Sequence, residues 1–318
     1  MSHPGSGDPP GHPDDPESWR HEFARVNGIT IHYVTVDPSP EAVDHPTGDA
    51  PLVVLLHGFP EHWYTWYHQI APLSAAGYRV VVPDLRGYNR TDQPEGVDSY
   101  RPAELVADVR ELIARQGAPT AAVVGHDWGG LIGWELAIRE PEIVRQLVVL
   151  NAPHPDRYRQ QLRQSPEQLL RSWYVVAAQL PWVPERLLWA GRDRLVDSLG
   201  GAVDPGVFSE ETRERYRAAI ERAGSLAGPI NYYRAMARET LRTEARSLLP
   251  GRSGRDGTVR APTLVCWGLD DPALDAALLD GLDRWVPDCR IRRLSETGHW
   301  PQLERPQKIT TELLDFLD

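Results

Sequence analysis

Between the apolar run 121–125 (AAVVG) and a helical pattern from about Gly129 to Arg139 stands Gly125-His126-Asp127-Trp128-Gly129-Gly130. Small residues at Gly125 and Gly129 permit the sharp strand-to-helix turn that lifts the intervening side chain above a sheet, the geometry of a nucleophile elbow. The residue lifted is Asp127. A serine there would suit acyl transfer. A carboxylate attacking an sp3 carbon instead makes an alkyl ester whose carbonyl belongs to the protein, and water can then cleave it. The electrophiles that fit are epoxides and alkyl halides, not esters or amides. The plainer alternative is a strand-to-helix turn in which Asp127 only caps the helix.

Ester cleavage needs a base, a group that orients the base, and donors for the oxyanion. Of 11 histidines, His299 in Thr297-Gly298-His299-Trp300 follows the last expected strand, and the chain order nucleophile, acid, histidine suits that place. The orienting acid should follow the strand 262–267, where Trp267-Gly268-Leu269-Asp270-Asp271-Pro272 offers both Asp270 and Asp271. The oxyanion donors should be backbone N–H groups of Trp128, next to the nucleophile, and of Phe59 in His57-Gly58-Phe59-Pro60.

These residues need a frame. Strand composition occurs at 29–36 (ITIHYVTV), 52–56 (LVVLL), 79–82 (RVVV), 121–125, 145–150 (RQLVVL), 262–267 (PTLVCW) and 290–294 (RIRRL). Helical patterns lie over about 61–76, 102–115, 129–139, 273–285 and 306–317, and the stretch 37–51 reads as a polar loop. Strands alternating with helices predict an α/β fold with a mostly parallel sheet covered on both faces. The alternation stops at Asn151-Ala152-Pro153 and resumes after the flexible stretch 251–257 (GRSGRDG). Residues 19–152 and 250–318 are therefore expected to form one core, with 153–249 inserted as a helical cap. Residues 1–18, rich in Pro, Gly, Asp, Ser and His, read as a disordered tail without the apolar stretch of a signal peptide.

Composition narrows the partners. The 318 residues carry a formal charge of -11, from 45 acids against 34 bases, which gives no footprint for a phosphate backbone. Hydrophobic residues are 41% of the chain, mean hydropathy is -0.44, and no apolar run approaches the ~20 residues of a bilayer span. Cys266 and Cys289 lack the spacing of a disulfide framework or a metal site, so a reducing cytoplasm is the expected compartment. No metal or cofactor is expected, and monomer and homodimer stay open.

HGFPE (57–61), DLRGYNRTD (84–92), GHDWGG (125–130), WGLDDP (267–272) and TGHW (297–300), in this order over residues 20–318, resemble the epoxide hydrolases of the α/β-hydrolase superfamily. The resemblance implies that the acid three residues after the Gly of the Trp-Gly pair, Asp271, orients the histidine. It also implies two cap tyrosines that protonate the epoxide oxygen as the ring opens. They map onto Tyr233 in Asn231-Tyr232-Tyr233-Arg234, and onto Tyr174 in Ser172-Trp173-Tyr174, ahead of Gln179-Leu180-Pro181-Trp182. A phenol with an ordinary pKa of about 10 stays protonated at neutral pH and can donate to a developing alkoxide.

Phe59, Trp128 and Trp173 are the candidate substrate contacts, and a small apolar epoxide with water is the implied substrate pair. Tryptophans Trp173, Trp182 and Trp189 in the cap agree with an apolar site. Haloalkane dehalogenases are similar in their Asp-Trp-Gly elbow and hold halide with a tryptophan N–H, but Phe59 stands where that family commonly has asparagine. Fluoroacetate dehalogenases place arginine after the nucleophile, where this chain has Trp128. A ligand-binding protein that has lost catalysis would be expected to lack a member of the Asp127, Asp271, His299 set.

Overall fold

The runs Leu52–Leu56 and Ala121–His126 have every residue buried, which an apolar strand achieves only with helices on both faces. A computed structural model describes residues 16–39, 50–201, 208–247 and 256–318. Its strands are β1 (Arg20–Val26), β2 (Ile29–Val36), β3 (Leu52–Leu56), β4 (Arg79–Pro83), β5 (Ala121–His126), β6 (Val144–Leu150), β7 (Thr263–Gly268) and β8 (Cys289–Leu294). They form one eight-stranded sheet in the order β1-β2-β4-β3-β5-β6-β7-β8. β2 runs antiparallel to β1 and β4, and the other neighbours are parallel.

Alternate residues of each strand feed opposite layers. Val53, Leu55, Val124, Val148 and Leu150 pack with Ile70 and Leu73 of α1 (Tyr67–Ala75) and Ile309 and Leu313 of α12 (Pro306–Leu317). Val54, Leu56, Val123, Leu147 and Val149 pack with α2 (Pro102–Arg115) and α3 (Trp128–Arg139). Helices α4 (Pro155–Gln164), α5 (Pro166–Arg171), α6 (Trp173–Ala177), α7 (Val183–Ala190), α8 (Arg192–Gly201), α9 (Glu210–Ala223) and α10 (Ala227–Ser247) all fall between β6 and β7. A short α11 (Pro301–Glu304) precedes α12. Among the described residues no helix is long and apolar enough to cross a membrane.

Several expectations change. The helix expected over 273–285 is instead two 3-10 turns, Ala276–Leu279 and Leu282–Arg284, separated by Gly281 at φ +70°. Local carboxylates take the backbone donors a helix would need: Asp271 Oδ1 accepts from Ala273 and Leu274 N–H, and Asp275 Oδ1 from Ala277 N–H. The apolar pattern is still satisfied, because Leu274, Leu278, Leu279 and Leu282 are buried. The pattern over 61–76 begins as a 3-10 turn, Trp63–Trp66, and becomes α1 only at Tyr67. Strand β1 was not expected. Its signal is Asn27-Gly28, both at positive φ, which closes a hairpin with β2. The tail expected over 1–18 lies outside the described residues except for Pro16–Ser18, a single 3-10 turn. Residues 40–49 and 251–255 of the two expected loops also lie outside them.

Glycine lets α3 approach the sheet. A Cβ on Gly129 would stand 2.2 Å from the Leu56 carbonyl oxygen, whereas one on Gly133 would meet Leu147 Cδ1 at 3.1 Å. Gly129→Ala must push helix from strand, so a loss of about 2–3 kcal/mol is expected from the urea midpoint. Gly133→Ala meets a side-chain methyl that can shift, and a smaller loss is expected.

Candidate active site

The β5-to-α3 turn puts Asp127 at φ 47°, ψ -116°, a conformation that costs a non-glycine residue about 1–3 kcal/mol. The turn is tight: a Cβ on Gly125 would stand 2.3 Å from the Gly129 carbonyl oxygen. Asp127 sits at the start of α3, where the helix dipole favours negative charge. Phe59 N–H donates to Asp127 Oδ2 at 2.9 Å, and Trp128 N–H also turns toward the carboxylate. Gly58 makes this approach possible, since a Cβ there would meet Asp127 Cβ at 2.6 Å. Burial pushes the Asp127 carboxyl above its ordinary value, and the charges of His299 and His126 with the two N–H groups only partly offset it.

Asp127 Oδ1 faces His299 Nε2 at 4.0 Å, too far for a direct hydrogen bond. On the other side of the ring, His299 Nδ1 bonds Asp271 Oδ2 at 2.6 Å. Asp271 Oδ2 also accepts from Asn151 Nδ2 at 2.7 Å, while its Oδ1 takes the two N–H groups named above, at 2.8 and 3.0 Å. Asp270 is exposed, and its N–H is bonded to the Thr297 carbonyl oxygen. Of the two acids left open by the residues alone, Asp271 is the one in contact with His299. Burial works against ionisation of Asp271, but His299, Asn151 and the Ala273 N–H outweigh it and hold the carboxyl below its ordinary value. Burial would also lower His299, yet Asp271 above all, then Asp127 and Glu61, raise it to about 9.

Tyr174 on α6 and Tyr233 on α10 meet with ring centroids 5.8 Å apart and planes at 89°. With Asp127, His299, Phe59 and Trp173 they line a cavity of about 560 Å³. Apart from two indoles, the polar side chains of its wall among the described residues are Asp127, Tyr174, Tyr233, His299 and Ser198, with no Arg or Lys among them. Burial raises both phenols well above 10; neighbouring tyrosines and Asp127 add to the effect at Tyr174, and Asp127 adds to it at Tyr233. Trp128 departs from expectation. Its backbone N–H faces Asp127, but its ring does not line the cavity. As the first residue of α3 it turns its indole, 4% exposed, between Tyr232 and Tyr233 at 5.2 and 4.9 Å.

Residues 51–306 match the model of the alpha/beta hydrolase fold family. AB hydrolase superfamily protein YfhM of Bacillus subtilis is 36% identical over 93% of this chain and 97% of its own length. Epoxide hydrolase 4 of Homo sapiens is 32% identical over 97% of this chain and 82% of its own. The crystal structure of a Bacillus megaterium epoxide hydrolase in complex with an inhibitor superimposes with a TM-score of 0.80, at 33% identity over 93% of this chain and 99% of that one. The chain belongs to the epoxide hydrolase family of α/β-hydrolases.

In this epoxide hydrolase family member a buried polar network underlies the elbow, and sequence reasoning missed it. Glu61, 2% exposed, accepts from Gly58 N–H at 2.8 Å, Thr65 Oγ1 at 2.6 Å and Gln302 Nε2 at 3.0 Å. Its Oε2 also meets His126 Nδ1 at 2.8 Å, and His126 Nε2 reaches the His299 carbonyl oxygen at 2.7 Å. One carboxylate therefore ties the Phe59 loop, the elbow and the histidine loop together. Burial would push Glu61 up, but His126, Thr65 and Gly58 N–H bring it down to about 2. Asp84, fully buried, accepts from Trp63 N–H at 3.1 Å and Asn89 Nδ2 at 2.8 Å, and meets His32 Nδ1. Asn151, at φ 40°, accepts from Gly268 N–H while donating to Asp271. The available signal was polar residues inside the HGFPE, GHDWGG and DLRGYNRTD motifs, and an asparagine directly after β6.

His299 is raised above its ordinary 6.5. Its contribution to stability is then full below 6.5 and lost as pH rises through about 9. Asp271→Asn removes the main cause. In that variant the His299 ring should titrate well below the wild type by NMR, and the fall in stability between pH 6.5 and 9 should flatten.

Proposed function

We propose that this enzyme hydrolyses an apolar epoxide to a vicinal diol through a covalent ester on Asp127. The observation that carries the reading is the Asp127 carboxylate itself. One oxygen is held by Phe59 N–H, while the other is left facing His299 in a cavity that also presents two phenols.

In the first step Asp127 Oδ1 attacks an epoxide carbon, the ring C–O bond breaks, and Tyr174 and Tyr233 donate to the departing oxygen. Neutral phenols suit this task because burial keeps their protons on until an alkoxide forms. Esterification removes the Asp127 charge, which is one of the causes that raise His299. The imidazole then releases its proton more readily and becomes the base for the second step. His299 Nε2 takes a proton from water, and the hydroxide attacks Asp127 Cγ. Oxyanion charge gathers on Oδ2 beside the N–H groups of Phe59 and Trp128, a type of contact worth about 3–4 kcal/mol in a dry site. The tetrahedral centre collapses with cleavage of its bond to the alkyl oxygen. That oxygen takes the proton from His299, the proton left on the regenerated Asp127 carboxyl returns to the phenolate formed at ring opening, and the diol leaves. Asp271 holds the imidazole throughout.

The substrate class follows from the wall. A cavity of about 560 Å³ with no cation besides His299 among the described residues suits a neutral, apolar epoxide. Another Bacillus megaterium epoxide hydrolase structure, 32% identical, was solved with its naphthyloxy-propane-diol product, which agrees with a diol-forming reaction on an aryl substrate. A halide-releasing reaction is less well supported, because Phe59 lines the cavity where a second halide donor would be needed and two phenols are presented instead.

His299→Gln should complete the first step and stall. After mixing with styrene oxide, intact-protein mass spectrometry should show a gain equal to the whole epoxide, mapped to the Asp127 peptide. An adduct formed only from haloalkanes would turn the reading to dehalogenation. Asp127→Ala should form no diol, and unchanged turnover would remove the assignment.

A further inference from the structure

Arg234 follows Tyr233 on α10 and does not line the cavity, yet its guanidinium, 12% exposed, is fully engaged just behind the wall. Nε donates to the Ala178 carbonyl oxygen at 2.9 Å and Nη2 to the Leu180 carbonyl oxygen at 2.6 Å. Nη1 pairs with Glu185 at the start of α7 and reaches Asn231 Oδ1 at 3.3 Å. The two carbonyls belong to the connection between α6 and α7, and both Ala178 and Leu180 line the cavity. That connection is coupled to the first phenol, since Ala178 N–H donates to the Tyr174 carbonyl oxygen at 2.9 Å. It also reaches back to the second phenol, through Gln179 Nε2 and the Tyr233 carbonyl oxygen at 3.4 Å.

The two phenols thus lie on separate helices, α6 and α10, far apart in sequence. The planar fork of one arginine, rather than a direct helix-to-helix bond, spans from the residue beside Tyr233 to the turn that ends the helix of Tyr174. A lysine could not replace it, because a point charge on a flexible stem does not satisfy separate acceptors in a fixed plane. Resting on the epoxide-opening reading above, we propose that Arg234, clamped by Glu185, is a positioning residue for ring opening: it sets the spacing of Tyr174 and Tyr233 and takes no part in ester hydrolysis. The base and the oxyanion donors stand on core loops that Arg234 does not touch.

The test separates the two half-reactions by stopped-flow with excess styrene oxide, following alkylation and ester hydrolysis individually in wild type, Arg234→Gln, Arg234→Lys and Glu185→Gln. Misplacement of donors by about 1 Å is expected to slow alkylation roughly 10–100-fold in both Arg234 variants, with hydrolysis within about twofold of wild type. Glu185→Gln, which keeps the guanidinium, should show the same selectivity to a smaller degree, and it carries the test if Arg234→Gln does not fold. In a Tyr174→Phe/Tyr233→Phe background, Arg234→Gln should slow alkylation no further, because the groups it places are gone. Equal slowing of both steps, or a full additional loss in the tyrosine-free background, would overturn the positioning role. Wild-type protein that forms no adduct at all would instead remove the epoxide-opening reading, an outcome distinct from normal alkylation by Arg234→Gln.

Discussion

A carboxylate held largely out of water, which the proposed mechanism needs ionised, is the constraint around which the site is organised. Burial pushes the Asp127 carboxyl above its ordinary value, against the ionised form that the proposed attack needs. The structure supplies fixed dipoles and charge in place of water: two backbone N–H groups, the N-terminal end of α3, and an imidazole raised to about 9 by its own buried acid. Each of these requires close approach of backbone. The glycines at 58, 125 and 129 are where that requirement reaches the sequence, since a single Cβ at any of them would collide with the elbow or the sheet.

The same constraint accounts for the layer beneath the site. Phe59, Asp127 and His299 come from three loops distant in sequence, and their mutual geometry has to survive thermal motion. Glu61 bonds the Phe59 loop and the elbow directly and reaches the histidine loop through His126, and Asn151 locks Asp271 against β7. Above them the wall is mostly apolar, so solvent screens Asp127 only in part, and the groups proposed as proton donors are neutral phenols. A carboxylate below and uncharged phenols above suit the proposed reaction, in which negative charge moves from the carboxylate to the epoxide oxygen.

What the sequence disclosed followed from periodicity and from local motifs. Buried strands, the amphipathic helix Pro102–Arg115 and the elbow are written in neighbouring residues, and the described fold agrees with them. Strand β1 escaped because its solvent-facing charges hide the alternation, although Asn27-Gly28 marked the turn. The helix expected over 273–285 failed because Asp271 and Asp275 spend their carboxylates on the local backbone, which an apolar count does not register. Glu61, His126 and Asn151 were invisible as a network because the bonds that join its loops, Glu61 to His126, His126 to His299 and Asn151 to Asp271, link residues far apart in the chain. The direction of the Trp128 indole depends on Tyr232, about a hundred residues downstream, and no local pattern carries that information.

The central claim is that an oxygen of Asp127, and not of water, enters the diol first. A single turnover with enzyme in excess over styrene oxide in ¹⁸O-water tests it directly. The account requires a first-turnover diol free of ¹⁸O and an Asp127 peptide that has gained the label. A labelled diol with an unlabelled Asp127 peptide would show direct attack by water and contradict the covalent mechanism.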